Sequence, residues 1–426
     1  MTPEVKARIA QIRRGEVPEG YKKTNVGIIP KQWDKCFLSS IIEELSSGVS
    51  VNSDDNKDTG IYILKTSAVS NGKVNLNEAK PVISKDLQRV KCSVEKNSIL
   101  ISRMNTPTLV GECGYVDETS SVHYLPDRLW QAFNTTPNTC NFKWLNYLLN
   151  SDRYRTAIHS LATGTSNSMK NISKEKFLSL PIPFLPIFEQ QKIAAILTAQ
   201  DRVIELKEKL AEQKERQKKY LMQQLLTGKK RLPGFSGEWK KEQLGKLFSE
   251  RKETQRTDLE LLAITGIRGV IPRTQLDLKD NSSEDKSKYL HICVGDIGYN
   301  TMRMWQGVSA LSAYEGIVSP AYTILNPKEN INAKYFSYLF KLPEIVFLFY
   351  RFSQGLVDDT RNLKYPNFAK IKVVYPNNIE EQTAIAEVLS AADREIDLLR
   401  QDVEAEKQKK KALMQLLLTG VVRVKI

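Results

Sequence analysis

The sequence contains few of the residues on which disulfide frameworks, metal centres and cofactor sites depend. Among 426 residues there are five cysteines and three histidines. The cysteines show no close pairing that would indicate a disulfide framework or a zinc site; they are Cys36, Cys92, Cys113, Cys140 and Cys293. A Walker-type phosphate loop and a Gly-x-Gly-x-x-Gly motif are also missing. We therefore predict no active site, no bound metal and a reducing, cytoplasmic location.

Long apolar runs are absent as well. The longest one, residues 178–188, is interrupted by Pro181, Pro183 and Pro186, so no segment is predicted to cross a membrane. The N-terminus is charged and does not resemble a secretion signal. With 41% apolar and 8% aromatic residues, a chain of 426 residues is too long for one ordinary core. We expect two globular domains together with helices.

Positive charge is in excess. The formal net charge of +14 favours polyanionic partners through counterion release, although basic proteins without a nucleic-acid role are common. Lysine-rich stretches at 207–219 and 407–411 are interleaved with Glu and Gln. This mixture indicates a solvated or partner-facing surface instead of a DNA groove. Loops of the globular domains are better candidates for contact with nucleic acid.

One stretch of the chain occurs twice. Residues 189–228 and 381–420 align without a gap and are identical at half of their positions. Both copies lack internal Gly and Pro, follow prolines and end at a glycine, which predicts two long α-helices. Apolar residues at alternating spacings of three and four predict an antiparallel coiled-coil pair whose seam has a polar middle. The predicted seam residues, which could also contact partners, are Leu197, Ile204, Leu221, Leu225, Leu389, Ile396, Leu413 and Leu417.

The segments that precede the helices repeat more faintly. A motif ending at Trp33 has a counterpart ending at Trp239, and residues 164–177 align with 355–368. Short apolar segments alternate with helical ones, so each half is predicted to be a mixed α and β domain. The predicted division is an N-terminal helical segment at 1–20, a first domain at 21–186, a central helix at 187–228, a second domain at 229–378, and a distal helix with its tail at 379–426.

The order of these motifs is similar to that of one known family. A Gly-Ile-Ile-Pro-Lys-Gln-Trp segment ends at Trp33, and after a variable segment a helix ends in Leu-Leu-Thr-Gly-Lys-Lys-Arg-Leu-Pro-Gly-Phe-Ser-Gly-Glu-Trp at Trp239. A second variable segment and a helix ending in Leu-Leu-Thr-Gly at Gly420 follow. This arrangement resembles the specificity subunit of type I restriction-modification enzymes over essentially the whole chain. The resemblance implies two target-recognition domains, separated by antiparallel helices in a nearly circular, pseudo-twofold arrangement.

The same resemblance implies a protein that recognises DNA and does not catalyse a reaction. Each recognition domain would read one half of a bipartite, asymmetric site in double-stranded DNA, and the length of the helices would set the gap between the halves. In this family, methyl transfer from S-adenosylmethionine belongs to a pair of methylation subunits. Translocation and cleavage, with ATP and Mg, belong to restriction subunits. We therefore expect these subunits as partners and no cofactor bound by this chain.

Candidate DNA contacts are polar residues at predicted strand ends. Arg, Asn and Gln side chains can distinguish guanine from adenine in the major groove, whereas basic residues in the matched segments 164–177 and 355–368 are better suited to phosphate. In the first domain the candidates are Lys65, Thr66, Ser102, Arg103, Asn105 and Lys170. In the second domain they are Thr265, Arg268, Asn300, Arg303, Trp305, Gln306 and Arg361. Ordinary strand-end polarity is the alternative explanation for each of them.

The main alternative function is that of a non-catalytic, coiled-coil structural or interaction protein that binds nucleic acid without sequence preference. A self-contained methyltransferase or nuclease is disfavoured because the glycine-rich cofactor loop is missing. The first alternative predicts binding that is indifferent to DNA sequence, and the second predicts activity without partners.

Overall fold

The computed structural model describes residues 2–56, 58–134, 138–164, 169–266, 268–276 and 283–424. The chain forms two compact units. Unit 1 comprises Met1–Leu206 together with Val403–Ile426, and unit 2 comprises Lys207–Asp402. Both boundaries between the units fall inside a long helix. The five-part division of the sequence follows other boundaries and stays a prediction.

The described residues include α-helices of very different length. Two of them have 39 residues each, as the repeated sequence predicts. The helices are α1 Pro3–Arg13, α2 Phe142–Leu149, α3 Asp152–Ser160, α4 Lys174–Leu178, α5 Ile187–Leu225, α6 Leu244–Leu247, α7 Ala333–Leu339, α8 Pro343–Phe352, α9 Tyr365–Phe368 and α10 Ile379–Leu417.

Unit 1 is built around a six-stranded sheet. The strands of unit 1, which are distributed over this sheet and smaller ones, are β1 Tyr21–Thr24, β2 Gly27–Pro30, β3 Asp34–Phe37, β4 Leu45–Ser47, β5 Tyr62–Leu64, β6 Val69–Ser70, β7 Gly72–Val74, β8 Ala79–Pro81, β9 Ser93–Val94, β10 Ile99–Ser102, β11 Met104–Asn105, β12 Cys113–Tyr115, β13 Ser120–Tyr124, β14 Leu129–Ala132, β15 Lys170–Asn171 and β16 Pro181–Phe184. The order of the main sheet is β4-β14-β10-β12-β7-β6. All four residues of β10 are buried, which fits a short, continuous apolar strand at the centre of a core.

Unit 2 repeats four neighbouring strands of this sheet. Its strands are β17 Trp239–Gln243, β18 Phe248–Arg251, β19 Leu262–Thr265, β20 Gly269–Pro272, β21 Leu290–Ile292, β22 Ile297–Asn300, β23 Ser309–Leu311, β24 Gly316–Val318, β25 Tyr322–Pro327 and β26 Lys372–Pro376. The order β18-β25-β22-β23 matches β4-β14-β10-β12 of unit 1, and all neighbours in both sets are antiparallel. The two units therefore share a four-stranded sheet of the same order.

Ion pairs between the two long helices show that they run antiparallel within each unit. In unit 1, Lys410 Nζ lies 2.7 Å from Asp201 Oδ1. In unit 2, Lys207 contacts Asp402 at 2.7 Å and Lys214 contacts Glu395 at 2.6 Å, so residue numbers rise along α5 as they fall along α10. The polar interruption of the predicted seam consists of these charge pairs. Each ion pair fixes which residues of α5 and α10 lie opposite each other.

The predicted seam residues are mostly buried. Of the eight, Leu197, Ile204, Leu225, Leu389, Ile396 and Leu417 are buried, and Leu221 and Leu413 are half-buried. Near the helix ends they belong to the domain cores, because Leu197 and Leu417 lie in the core of unit 1 and Leu225 and Leu389 in that of unit 2. The long helices are thus partly core helices and partly a pair that packs on itself.

A buried glutamine attaches the start of each long helix to its own unit. The side chain of Gln190 accepts a hydrogen bond from the backbone N–H of Asn141 at 2.8 Å and donates to the carbonyl of Leu185 at 2.8 Å. Gln382 makes the same two contacts in unit 2, with Asn332 N–H at 2.8 Å and the Pro376 carbonyl at 3.0 Å. The glutamine of each repeated Glu-Gln pair therefore satisfies backbone groups that would otherwise be buried without partners. The predicted fold class, mixed α and β units joined to antiparallel long helices, is confirmed.

Candidate nucleic-acid interface

In unit 1, the structure brings together residues from both predicted contact segments. Strand β10 ends at Ser102, and after Arg103 the short strand β11 pairs with β15 so that Asn105 lies opposite Lys170. The backbone N–H of Ile172 also donates to the carbonyl of Arg103 at 2.9 Å. Arg103, Asn105 and Lys170 therefore share one edge, although 65 residues of sequence separate the last two.

The side chains at this edge are only partly engaged within the protein. The guanidinium carbon of Arg103 lies 5.7 Å from the centre of the Trp130 ring, and its Nε finds no hydrogen-bond partner among the described residues. Asn105 Nδ2 donates to Ser102 Oγ at 3.1 Å, and Lys170 Nζ donates to the carbonyl of Gly164 at 2.6 Å. A buried guanidinium N–H without an acceptor is costly in a folded protein, so this group is suited to an acceptor on a ligand.

The remaining candidates of unit 1 lie elsewhere. Ser102 is fully buried and accepts from Asn105, so its side chain does not fit the predicted role of touching DNA, and it supports the turn instead. Lys65 and Thr66 follow β5, which belongs to a different sheet of order β8-β5-β13-β9. Lys65 Nζ forms an ion pair with Glu78 at 3.6 Å. These two residues stay a separate, untested candidate edge.

In unit 2, the strand equivalent to β10 ends in a tight turn. Asn300 closes β22, and its Oδ1 accepts from the backbone N–H of Met302 at 2.9 Å. The chain then forms a 3-10 helix at Met304–Gln306, which ends at Gly307 with a φ of 78°. That left-handed conformation favours glycine. The turn leaves Arg303 and Gln306 exposed, while Trp305 is half-buried.

An aromatic and cationic cluster stands beside this turn. Arg361 Nη2 donates to the hydroxyl of Tyr350 at 2.9 Å, and its guanidinium carbon lies 4.1 Å from the centre of the Tyr350 ring. The rings of Tyr350 and Trp305 meet edge to face at 6.2 Å. Sequence reasoning found Trp305 and Arg361 but missed Tyr350. Its position on α8, a few residues before the matched segment 355–368, was the available signal.

The turn and the matched segment meet in unit 2 as they do in unit 1. The backbone N–H of Leu363 donates to the carbonyl of Thr301 at 2.8 Å, which is the counterpart of the bond between Ile172 and Arg103. Around the cluster, several large apolar side chains are exposed: Met302 by 49%, Phe347 by 57% and Val357 by 59%. Exposed apolar groups beside cationic ones are typical of a binding surface.

Thr265 and Arg268 lie at the turn of the β19–β20 hairpin, and their polar groups are used within it. Thr265 Oγ1 donates to the carbonyl of Gly269 at 3.0 Å and accepts from the backbone N–H of Arg268 at 2.8 Å. Arg268 Nη1 donates to the carbonyl of Gln275 at 3.0 Å. Thr265 therefore has a structural role in the hairpin, while Arg268 remains exposed and has donors to spare.

A comparison with known protein families finds the same duplication of the chain. A family model described as the type I restriction modification DNA specificity domain matches residues 30–216 and again residues 238–406. The chain belongs to this family. The two matched segments account for the duplicated sheet and the duplicated long helix, and the role of the family is DNA-sequence specificity.

Two similar specificity subunits match this chain over half of its length or more. A putative type I restriction enzyme MjaX specificity subunit of Methanocaldococcus jannaschii is 25% identical over 442 residues, which cover 96% of this chain and 97% of the relative. The MjaVIII specificity subunit of the same organism is 27% identical over 220 residues, or 51% of each chain. The crystal structure of the S subunit of a type I restriction-modification system from M. genitalium has a TM-score of 0.54 at 18% identity, covering 93% of this chain and 97% of that one.

A further solved chain of a type I restriction-modification system has a TM-score of 0.55 at 14% identity, covering 92% of this chain and 99% of that one. At such low identity these structures establish the fold of the specificity protein and nothing about its contacts. Among the described residues, no helix is both long enough and apolar enough to cross a membrane.

Proposed function

We propose that each unit reads one half of a bipartite, asymmetric site in double-stranded DNA through its duplicated edge. The observation that carries the proposal is that the same backbone bond joins the strand end to the matched segment in both units, from Ile172 to Arg103 and from Leu363 to Thr301. Each edge presents an arginine beside an aromatic ring, Arg103 at Trp130 and Arg361 at Tyr350. Two equivalent edges with different side chains suit two different half-sites.

The chemistry of the edges divides into two tasks. Exposed Arg303 and Gln306 have the hydrogen-bonding pattern for base edges, because Arg pairs with guanine and Gln with adenine in the major groove. Lys170 and Arg361, held by backbone or ring contacts, are suited to phosphate oxygens, which fix the position of a protein without reading sequence. The excess of positive charge, +14, would strengthen binding to either half-site.

The chain would then be the non-catalytic subunit of a methyltransferase and endonuclease complex in the cytoplasm. Its partners would be two methylation subunits, which fits the duplication because equivalent surfaces occur twice, and restriction subunits. S-Adenosylmethionine, ATP and Mg would be bound by those partners. The family membership supports this assignment.

Co-expression with a methylation subunit that forms a complex with this chain tests the proposal. Adenine methylation is mapped across a genome by single-molecule sequencing. A single bipartite, asymmetric motif with a fixed gap is the expected result. A complex that binds DNA of any sequence equally and directs no methylation would favour the alternative, a structural or interaction protein with non-specific nucleic-acid binding.

A further inference from the structure

Three side chains with metal-binding atoms converge on one edge of unit 2. His291 lies on β21, Cys293 follows that strand, and Glu315 precedes the paired strand β24. His291 Nε2 lies 3.0 Å from Glu315 Oε1 and 3.6 Å from Cys293 Sγ, and one donor atom from each residue falls within 4.8 Å of the other two. His291 is only 4% exposed. None of these residues belongs to the candidate DNA edge.

A second carboxylate fixes the orientation of the imidazole. Glu253 Oε2 lies 2.8 Å from His291 Nδ1, and the backbone N–H of His291 donates to the carbonyl of Glu253 at 2.8 Å. Glu315 Oε1 lies 3.0 Å from Nε2, and Cys293 Sγ lies beside the ring, 3.6 Å from Nε2 and 3.9 Å from Nδ1. With Glu253 at Nδ1, Nε2 is the ring nitrogen left for a metal. Metal-binding histidines characteristically donate their other ring N–H to a carboxylate or carbonyl in this way.

The donor set is compatible with Zn²⁺. One imidazole nitrogen, one thiolate and one carboxylate are all ligands that Zn²⁺ accepts, at bond lengths of about 2.0–2.3 Å. A tetrahedron with such bonds has edges of about 3.3–3.8 Å. The 3.0 Å separation between Nε2 and Oε1 is close to that range, whereas Cys293 Sγ, nearly equidistant from both ring nitrogens, must rotate about χ1 toward the Nε2 lone pair to become a ligand. A thiolate and a carboxylate together also balance the charge of a divalent cation.

We propose that His291, Cys293 and Glu315 bind a single Zn²⁺, with a water molecule as the fourth ligand and Glu253 as the carboxylate that orients His291. The Cys293 thiol releases its proton to solvent as the Sγ–metal bond forms, so binding strengthens as the pH rises. The ion would connect the end of β21 with the start of β24. The competing explanation is an imidazolium held between two glutamates without any metal.

Cobalt substitution in the full-length chain tests the proposal directly. The purified protein is stripped with a chelator and titrated with Zn²⁺ and, separately, with Co²⁺. We expect a stoichiometric Zn²⁺ uptake and, with Co²⁺, the near-ultraviolet charge-transfer absorption that a thiolate ligand produces. Cys293→Ser should abolish that absorption and weaken Zn²⁺ binding by more than tenfold. Cys36→Ser, which alters a half-buried thiol in unit 1, is the matched control and should leave both unchanged.

A further variant separates ligation from orientation. Glu253→Gln should weaken Zn²⁺ binding by about 10–100-fold and keep the thiolate absorption, because Glu253 acts through His291. A Co²⁺-loaded wild type without thiolate absorption would overturn the proposal whatever the variants do. Equal Zn²⁺ uptake by the wild type, Cys293→Ser and Cys36→Ser would overturn it too, and would leave His291 as part of an ion-pair network.

Discussion

Arg423 donates to both carboxylate oxygens of the buried Glu189, with its Nε 2.9 Å from Oε2. Trp33 Nε1 donates to the same oxygen at 3.1 Å. Unit 2 contains the same arrangement. Arg231 donates to both carboxylate oxygens of Glu381, at 2.5 and 2.7 Å, and Trp239 Nε1 donates to Glu381 at 3.4 Å. Each arginine stands three residues after the glycine that follows a long helix.

Loss of the arginine should destabilise the unit that contains it. Arg423→Ala leaves the charge of Glu189, which is 1% exposed, without its cationic partner, and we expect a loss of about 3 kcal/mol in the free energy of unfolding. Denaturant unfolding of the full-length chain measures the loss, and Arg231→Ala should reproduce it in unit 2. Arg14→Ala is the control, because its ion pair with Glu16 is exposed and should matter little. Equal stability of Arg423→Ala and the control would contradict the prediction.

Arg303 should discriminate at one base pair. Arg303→Ala is expected to cost about 1–3 kcal/mol of binding free energy at a single position of one half-site, because a bidentate contact to a base is lost. Binding of the assembled complex to a set of oligonucleotides with single substitutions measures the effect. Arg361→Ala removes the residue of unit 2 proposed to contact phosphate and should weaken binding to every sequence alike. If Arg303→Ala also weakened all sequences equally, Arg303 would contact phosphate.

The ring of Tyr350 should matter more than its hydroxyl. Tyr350→Ala removes the surface over which Arg361 lies at 4.1 Å and frees the guanidinium, so we expect weaker binding to the cognate half-site. Tyr350→Phe keeps the ring and loses only the 2.9 Å hydrogen bond, so it should retain most of the affinity. Fluorescence anisotropy with the cognate duplex compares them. A Phe variant as weak as the Ala variant would assign the effect to the hydroxyl.

The length of the long helices should set the gap in the recognised site. Lys207 faces Asp402 at 2.7 Å, so two helical turns, roughly seven residues, can be inserted before Lys207 and after Asp402 without breaking the apolar stripe. Methylation mapping should find a longer gap, by up to about three base pairs, between unchanged half-sites. An insertion in α5 alone breaks the register of the charge pairs and should destabilise the protein. An unchanged gap after the matched insertion would exclude this role for the helices.

Because of Lys341, the free energy of unfolding of unit 2 should rise with pH in alkaline solution. Its Nζ donates to the carbonyls of Gly307 at 2.7 Å and Ser309 at 2.6 Å, and burial lowers its pKa to about 8 from the ordinary 10.5. Below about pH 8 both folded and unfolded chains carry the proton. Between the two pKa values the unfolded chain binds more protons, so the free energy of unfolding rises with pH.

The comparison with Lys341→Met isolates this contribution from other titrating groups. The free energy of unfolding of the wild type, relative to that of the variant, should increase from pH 8 to 10.5 and stay constant below that window. Chemical denaturation at a series of pH values measures both proteins. A difference that does not change across the window would show that Lys341 keeps its proton in the folded state.

Much of the architecture could be predicted because it depends on local pattern. The two 39-residue helices follow from the absence of Gly and Pro and from the spacing of their apolar residues. Because the helix sequence is duplicated, the two helices are expected to pack against equivalent parts of their units. The charged middle of the seam was visible too. The antiparallel direction is confirmed by pairs such as Lys214 with Glu395.

The candidate edge was only partly predictable. The sequence placed Arg103 and Arg303 at strand ends, since a short apolar run followed by polar residues marks such a boundary. It could not show that Ser102 is buried or that Tyr350 supports Arg361, because both facts depend on which element packs against the strand end. Burial of one residue at a boundary is decided by neighbours distant in sequence.

By itself, then, the sequence determined the long helices, the twofold repetition and the family. The helices follow from the periodicity of apolar residues, and the repetition and the family follow from the order of the motifs. Only the tertiary structure decided which separated residues meet. Arg423 reaches Glu189 across 234 residues, and Glu315 reaches His291 across 24. The physical reason is that charge pairs and metal-binding groups act over a few ångströms of space, and the distance between two residues along the chain does not fix that separation.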